Sequence, residues 1–321
     1  MSRLLGSTLA LILAAQLVPS VFAQTYPTKP VRLVVPFAPG GATDIFARMA
    51  AAEMTKGLGQ QVIVENRPGA GTTIAAEYVA RSPADGYVLL YTDLSTHTIT
   101  RSLYSKLGYD PMKDFTPVTA VNSSPLLLVA HPSVGVKTVA ELVRLAKRNP
   151  GITLGNSGLG TVTHMTAEKF RMRAGIEVIA VNYKGGNTPI VALRSGEVAM
   201  VMATVPASIQ HVRERKIIAL GLAAAKRSPY LPDIPTISES VKDVEGAVIA
   251  GVLAPAGTPQ NVVDLLYTQF SQASATAKAK ELYASNAAET LSQSPAEVRK
   301  AMERDVRDWG EVVKATGVKA L

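Results

Sequence analysis

The stretch Val31-Arg-Leu-Val-Val-Pro-Phe-Ala-Pro-Gly-Gly-Ala-Thr-Asp44 decides the fold. Val31 to Pro36 is a short apolar run that reads as a buried strand. Ala38-Pro39-Gly40-Gly41 then turns the chain. A helix is expected from about Asp44 to Lys56, with Ile45, Met49 and Ala52 on one face and Gly57 ending it. Outward from this unit the pattern repeats: Gln61–Glu65 reads as a strand, Thr72–Arg81 as a helix, and Val88–Tyr91 as a third strand. Strand, helix and strand at this spacing predict parallel strands joined by right-handed crossovers.

Further strand-like runs follow at Leu126–Ala130, Ile152–Leu154, Val178–Val181, Val198–Met202, Ile217–Leu222 and Val248–Leu253. Thr138-Val-Ala-Glu141 and Ser294-Pro-Ala-Glu297 have capping-box spacing, in which hydroxyl and carboxylate satisfy each other's backbone N–H groups. Thr258-Pro259 reads as a helix start with Pro at the first position. The last helix carries Val298, Met302, Val306, Trp309 and Val313 down one side, a core stripe. Pro117–Pro125 and Ser228–Pro235 read as connections between domains. A chain that crosses twice leaves one domain, builds a second and returns, which puts a ligand cleft between them over a hinge.

At 321 residues the chain exceeds one simple core. With 47% hydrophobic and 18% charged residues, global disorder is excluded. The net charge of +8 is spread along the sequence, in nothing longer than pairs such as Lys147-Arg148. Aromatics at 5% and a single Trp offer no stacking platform, so nucleic acid is not an expected partner. A diffuse positive field instead recruits small anions. The absence of Cys rules out disulfides and thiolate chemistry.

Arg3 is the only charge before residue 29, and an apolar run from Leu9 to Val18 follows it. Pro19-Ser20 breaks the run, and Val21-Phe22-Ala23 has small residues at its outer positions. Residues 1–23 therefore read as a secretory signal peptide cleaved near Ala23-Gln24, placing the mature chain in a periplasm if the host is a diderm bacterium.

Catalytic motifs fail by a single residue each. Gly155-Asn-Ser-Gly-Leu159 would be a nucleophile elbow were Leu159 a Gly, and Thr163 stands where a dinucleotide fingerprint needs a small residue. The histidines, His97, His131, His164 and His211, form no local metal-binding pair, and no metal or cofactor is expected. What remains are glycine-rich turns that open helices: Phe37–Asp44, Gly155–Thr161 and Tyr183–Gly186, with the hydroxyl-rich strand end Asp93–His97 between them. Glycine lets main-chain amides approach a ligand at a helix N-terminus, where unpaired N–H groups and the dipole favour an anion. Taken singly, each has a plainer reading: Asp44 as a helix cap, His164 as a packed residue, Lys184 as loop decoration. Jointly they fall at the C-terminal ends of expected parallel strands, where open α/β sheets bind ligands.

Val34–Asp44, Val64-Glu-Asn-Arg-Pro-Gly-Ala-Gly71, Ser157-Gly-Leu-Gly-Thr-Val-Thr-His164, Tyr183-Lys-Gly-Gly186, Ala225–Thr236 and Ala254-Pro-Ala-Gly-Thr-Pro259 together resemble the Bug family. These are the solute receptors of tripartite tricarboxylate transporters. The resemblance spans the mature chain and implies an α/β, two-domain, type II periplasmic-binding-protein-like fold. Each domain would be a central, mostly parallel sheet flanked by helices, with residues 24–121 and 227–321 forming domain I and residues 122–226 domain II. It also implies a small carboxylate ligand: a di- or tricarboxylate, an acidic amino acid or an aromatic acid.

The implied contacts are backbone N–H groups, hydroxyls and water, carried here by Phe37, Ala38, Gly40, Gly41, Ala42, Thr43 and Asp44 on one side. Ser157, Gly158, Gly160, Thr161 and His164 face them. Ser95, Thr96 and His97 match a third loop, and Tyr183, Lys184 and Gly185 the rim. Thr204 stands where family members carry Asp, and Ala199 replaces a second acid, so selectivity should shift against ligands bearing an ammonium group. The implied partners are membrane subunits of the transporter, or alternatively a membrane sensor, with the receptor itself a monomer. A secreted hydrolase using Ser157 or His164 is the alternative from another class.

Overall fold

β1 (Val31–Val35) lies in the middle of three parallel strands. β2 (Val62–Asn66) flanks it on one side, with Leu33 opposite Val64. β3 (Val88–Asp93) flanks it on the other, with Leu33 opposite Leu89. A strand so enclosed is covered on both faces, which is why it reads as an unbroken apolar run. α1 (Ala42–Leu58) and α2 (Thr73–Ala80) are the crossovers. The computed structural model describes residues 26–320, so the expected leader at residues 1–23 falls outside the described residues.

α3 (Leu94–Leu103) follows β3 without a loop, because Asp93 caps it by accepting the Thr96 N–H at 3.0 Å. The hydroxyl-rich strand end expected at 93–97 is thus the first turn of a helix, with Asp at the position that favours it. β4 (Phe115–Ala130) is 16 residues long and belongs to both halves of the molecule. Its first part pairs antiparallel with β9 (Ala247–Pro255) and β10 (Glu289–Gln293). Its last five residues pair with β7 (Met200–Thr204) and β8 (Ile218–Leu222). The hand-over falls between Pro125, opposite Ala247, and Leu126, opposite Thr204. The stretch Pro117–Pro125, expected as a connection, is therefore strand throughout. A register shift between Pro117 and Thr119 accommodates a residue that has no N–H to donate.

In the second lobe β5 (Ile152–Asn156) runs parallel between β6 (Val178–Asn182) and β7. α4 (Val139–Arg148), α5 (Val162–Ala174), α6 (Thr188–Ser195) and α7 (Val205–Arg213) accompany these strands. Ser228–Pro235 is irregular, and its end stays on the second lobe, where Leu222 N–H donates to Pro235 O at 2.8 Å. The chain then returns through β9 to α8 (Gln260–Ala275), α9 (Ala277–Ser285) and α10 (Pro295–Thr316). The strand order β2-β1-β3-β9-β4-β7-β5-β6 passes through both lobes.

At the pivot three backbone bonds form a ring: Leu126 N–H to Gly246 O (3.0 Å), Gly246 N–H to Ala223 O (3.0 Å), and Ala223 N–H to Leu126 O (2.8 Å).

The caps follow local sequence, with two adjustments. Ser294 and Glu297 form the expected reciprocal box at α10. At α4 the Thr138 hydroxyl accepts the Glu141 N–H, but the Glu141 carboxylate takes the N–H of Lys137 at 2.7 Å, one residue upstream of the expected partner. Pro259 is the N-cap of α8 rather than its first residue. Of the α10 stripe, Val298, Met302 and Val313 are buried, while Val306 and Trp309 are half-buried. No helix among the described residues is long and apolar enough to cross a membrane.

Candidate ligand-binding cleft

The first glycine turn ends β1 and opens α1 with Gly41 as an N-cap that has no capping side chain. The first intrahelical bond runs from Ile45 N–H to Gly41 O, and the amides of Gly41, Ala42 and Thr43 have no acceptor among the described residues. These three residues wall a small cavity of about 20 Å³. Unpaired N–H groups at the positive end of a 17-residue helix suit that wall to an anion. Asp93, Thr96 and Phe37 complete the first lobe's side; Ser157, Thr161 and Thr204 face them from the second. The Thr204 Oγ1 is buried and unpartnered, standing at the N-cap of α7 without capping it. Buried hydroxyls are normally hydrogen-bonded, so this one has a partner to gain from whatever fills the cavity.

The two glycine turns share a device that the sequence conceals. In each, the third residue of the helix reaches back to the glycine just before the N-cap. Asp44 Oδ2 accepts the Gly40 N–H at 3.0 Å, and His164 Nδ1 accepts the Gly160 N–H at 3.2 Å. Burial alone would raise the Asp44 carboxyl, but hydrogen bonds from Arg48, Gly40 and Asn66 outweigh it and hold it below the usual carboxylate range. Burial lowers His164, which keeps it neutral with Nδ1 as acceptor. Gly40, Gly160, Asp44 and His164 are therefore committed to their own turns.

In the second turn almost every amide is spent internally. Ser157 N–H goes to Thr163 Oγ1 (2.9 Å), Gly158 N–H to Asn156 Oδ1 (2.8 Å) and His164 N–H to Thr161 Oγ1 (3.3 Å). The first turn leaves three successive amides without an acceptor among the described residues; the second leaves those of Leu159 and Thr163. The second also contributes side chains, chiefly the Ser157 hydroxyl, which makes no hydrogen bond among the described residues. Ser157 has no bond to His164, so the two do not form a nucleophile–base pair.

Across the cleft the lobes meet directly. Val162 N–H donates to Thr96 Oγ1 at 2.9 Å, and Ala38 N–H to Lys184 O at 3.5 Å. A Cβ on Gly41 would lie 3.0 Å from the Cα of Gly186, and one on Gly186 would strike the carbonyl oxygens of Ala38 and Pro39. Gly160 likewise leaves room for Leu103, and Gly185 for Phe37. Several glycines expected to approach the ligand instead let the two lobes approach each other. The arrangement is a closed one.

Other expected residues lie elsewhere. Ser95 donates its hydroxyl to Asp305 at 2.8 Å and lines a groove behind the hinge. His97 is fully buried, its Nε2 donating to Pro111 O at 3.0 Å, stacked on Tyr109 and edge-on to Phe115. Burial pushes it down to about 4, so His97 is a core residue and not part of the cavity. Ala199 sits at the opposite end of β7 from Thr204, its N–H bonded to Thr153 Oγ1, so only Thr204 of the two replaced acids faces the cleft.

Gly158, Tyr183 and Lys184 line an adjoining outer chamber. Asp93 was missed as a wall residue. It accepts Ile249 N–H (2.9 Å) and Thr96 N–H, and burial, reinforced by Asp305, pushes it up to about 6 against those hydrogen bonds. Val248, also in the wall, arrives on the returning strand β9 and leaves no local signal.

Residues 46–318 match the family model described as the tripartite tricarboxylate transporter family receptor. The chain belongs to this receptor family. It is 33% identical over 322 residues to Protein BugT of Bordetella pertussis, covering 99% of each chain. This family member also superposes on the periplasmic binding protein BugD with a TM-score of 0.88 at 33% identity, covering 92% of this chain and 99% of that one. On the R. palustris protein Rpa4515 with adipate the TM-score is 0.89 at 36% identity, covering 92% and 100%. These relatives are solute receptors rather than enzymes. The receptor thus has the expected two-domain α/β periplasmic-binding architecture and a solute-binding role, and the hydrolase alternative falls.

Proposed function

We propose that the protein is a periplasmic receptor that closes on a small organic carboxylate and presents the closed form to membrane subunits of a tripartite tricarboxylate-type transporter. The moving bodies are the two lobes, joined by β4, the strand that runs through both. The unit is a monomer, released by cleavage near Ala23-Gln24. The observation that carries this reading is the set of three unpaired amides at the start of α1, facing a small cavity between the lobes that the unpartnered Thr204 hydroxyl also lines.

The carboxylates near the cavity are already occupied. Asp44 is held by Gly40, Arg48 and Asn66, and Asp93 by Thr96 and Ile249. Thr204 is neutral, so nothing waits to pair with an ammonium group. The favoured ligand is an acid without an α-amino group, in keeping with the adipate held by Rpa4515.

Calorimetry against mono-, di- and tricarboxylates, with aspartate and glutamate included, is the test. Unsubstituted acids should bind and the amino acids should bind at least tenfold more weakly. An acid present at a hundredfold over its Kd should stabilise the folded form by about 2.7 kcal/mol. Folded protein that binds no acid in the panel would overturn the proposal.

A further inference from the structure

The cavity that suits an anion has a carboxylate in its own wall. Asp93, 1% exposed, lines it beside the free amides of α1. Its hydrogen-bond partners are all neutral. Oδ1 accepts the Ile249 N–H at 2.9 Å, and Oδ2 accepts both the N–H (3.0 Å) and the hydroxyl of Thr96. No cation pairs with it among the described residues. Two carboxylates confined to one small site do not both stay ionised, and the one with the weaker hold on its charge takes a proton. We infer, on the reading that this cleft takes an organic acid, that Asp93 takes up a proton as the acid binds and is the residue that makes affinity depend on pH.

Thr96 shows what the proton changes. It lines the same cavity, and while Asp93 is ionised its hydroxyl hydrogen is committed to Asp93 Oδ2. Its oxygen meanwhile accepts the Val162 N–H of the second lobe at 2.9 Å. The bridge from Asp93 through Thr96 to Val162 therefore ties the lobes together but leaves no hydroxyl hydrogen for a ligand. A proton on Oδ2 reverses the first of these bonds. The carboxyl then donates to Thr96 Oγ1, which has lone pairs enough to keep Val162, and the Thr96 hydrogen is released to point at the acid. One proton from solvent removes a like charge and supplies a donor.

The groups packed around Asp93 favour it as the acceptor. From α10 the charged neighbour is Asp305; burial, reinforced by that like charge, pushes Asp93 up to about 6 against its hydrogen bonds. Burial raises Asp305 too, but it holds the Ser95 hydroxyl and lines the groove behind the hinge rather than the cavity. β9 offers Asp93 the Ile249 N–H, and Ser157, Thr161 and Thr204 bring only hydroxyls from the second lobe. On its own helix, His97 faces the Pro111 carbonyl, with Arg299 as the nearby charge. At the start of α1, burial would raise Asp44, but Arg48, Gly40 and Asn66 keep it ionised. His164 is the rival, since burial keeps it neutral and an anion nearby would draw a proton to it. Its Nδ1 is spent on the Gly160 N–H, so protonation there would break the second glycine turn.

The test is calorimetry on the mature protein at about pH 7.5 in phosphate and in Tris, whose different ionisation enthalpies count the protons exchanged on binding. The probes are succinate, malate, adipate and hexanoate, all fully ionised at that pH. About one proton should be taken up per acid bound, and affinity should fall about tenfold per pH unit above neutrality. Asp93→Asn keeps a side chain that caps α3. It should bind with no proton uptake and a flat pH profile, about tenfold or more tighter than wild type at pH 7.5. Asp305→Asn should still take up the proton, with the fall in affinity starting at lower pH because a like charge has gone. Binding with less than about a third of a proton would overturn the inference and leave acid binding intact. So would uptake that survives in Asp93→Asn, which is the signature of His164, uptake abolished in Asp305→Asn, or a folded Asp93→Asn that binds more weakly than wild type. Should Asp93→Asn fail to fold, the wild-type proton count and Asp305→Asn still decide. No binding of any acid by folded protein would overturn the functional reading and this inference with it.

Discussion

Asp93 and His97 stand at one end of α3, four residues apart, and burial moves them in opposite directions. Asp93 rises from 3.8 to about 6, so between those values the folded chain holds more protons than the unfolded one. Its contribution to stability is present below about pH 4 and is lost as the pH climbs through 6. His97 falls from 6.5 to about 4, so its contribution is present above about pH 6.5 and is lost as the pH drops towards 4. Each shift corresponds to about 3 kcal/mol, and the two slopes largely cancel over the shared window.

His97→Leu should expose the imbalance. In urea melts run from pH 4 to 6.5, the stability of wild type minus that of the variant should grow by about 3 kcal/mol as the pH rises. A difference that stays flat would mean His97 is solvated. Ligand affinity near neutral pH should be unchanged, since the ring faces Tyr109, Phe115 and the Pro111 carbonyl, with Arg299 as the nearby charge. His97 illustrates a limit on reading residues from sequence: a histidine beside Ser and Thr after a strand looks like a ligand, and only the helix phase set by Asp93 turns it inward.

Among elements, the glycine turns were legible as turns but not in their division of labour. That Gly40-Gly41 opens a helix follows from local sequence; that Gly41 faces Gly186 of the other lobe depends on how the whole chain packs. Gly41 has φ −87°, which any residue adopts, so alanine there adds no strain to the open form. Its methyl would meet Gly186 only on closing. Gly41→Ala should therefore weaken ligand binding more than tenfold while changing ligand-free stability by about 1 kcal/mol or less, the modest cost of alanine at an N-cap. Calorimetry paired with ligand-free melts separates the two, and equal losses in both would refute the role.

The strands show the same split. β1, β5 and the capped start of α10 were plain in the sequence because their signals lie within a few residues. β4 was not, because Pro117 and Pro125 look like breakers until β9 and β10, more than a hundred residues later, supply the pairing that makes them strand.

For the molecule as a whole, charge acts at a distance and closure acts at the pivot. Cleavage near Ala23-Gln24, as proposed, would remove Arg3 and take the formal charge from +8 to +7. That diffuse excess should speed the encounter with a dianion, so stopped-flow association should slow as salt rises from low concentration to about 0.5 M, where screening acts within a few ångströms. A rate indifferent to salt would remove that steering role and leave the fold untouched.

The ring of three main-chain bonds among Leu126, Ala223 and Gly246 would serve the proposed swing as its axle. With the contact of Gly41 on Gly186 as the proposed stop, any acid that fits inside would leave the lobes at the same angle. The outer shell offered to the membrane would then look the same for every acid carried, leaving a docking partner to sense only that the jaws are shut.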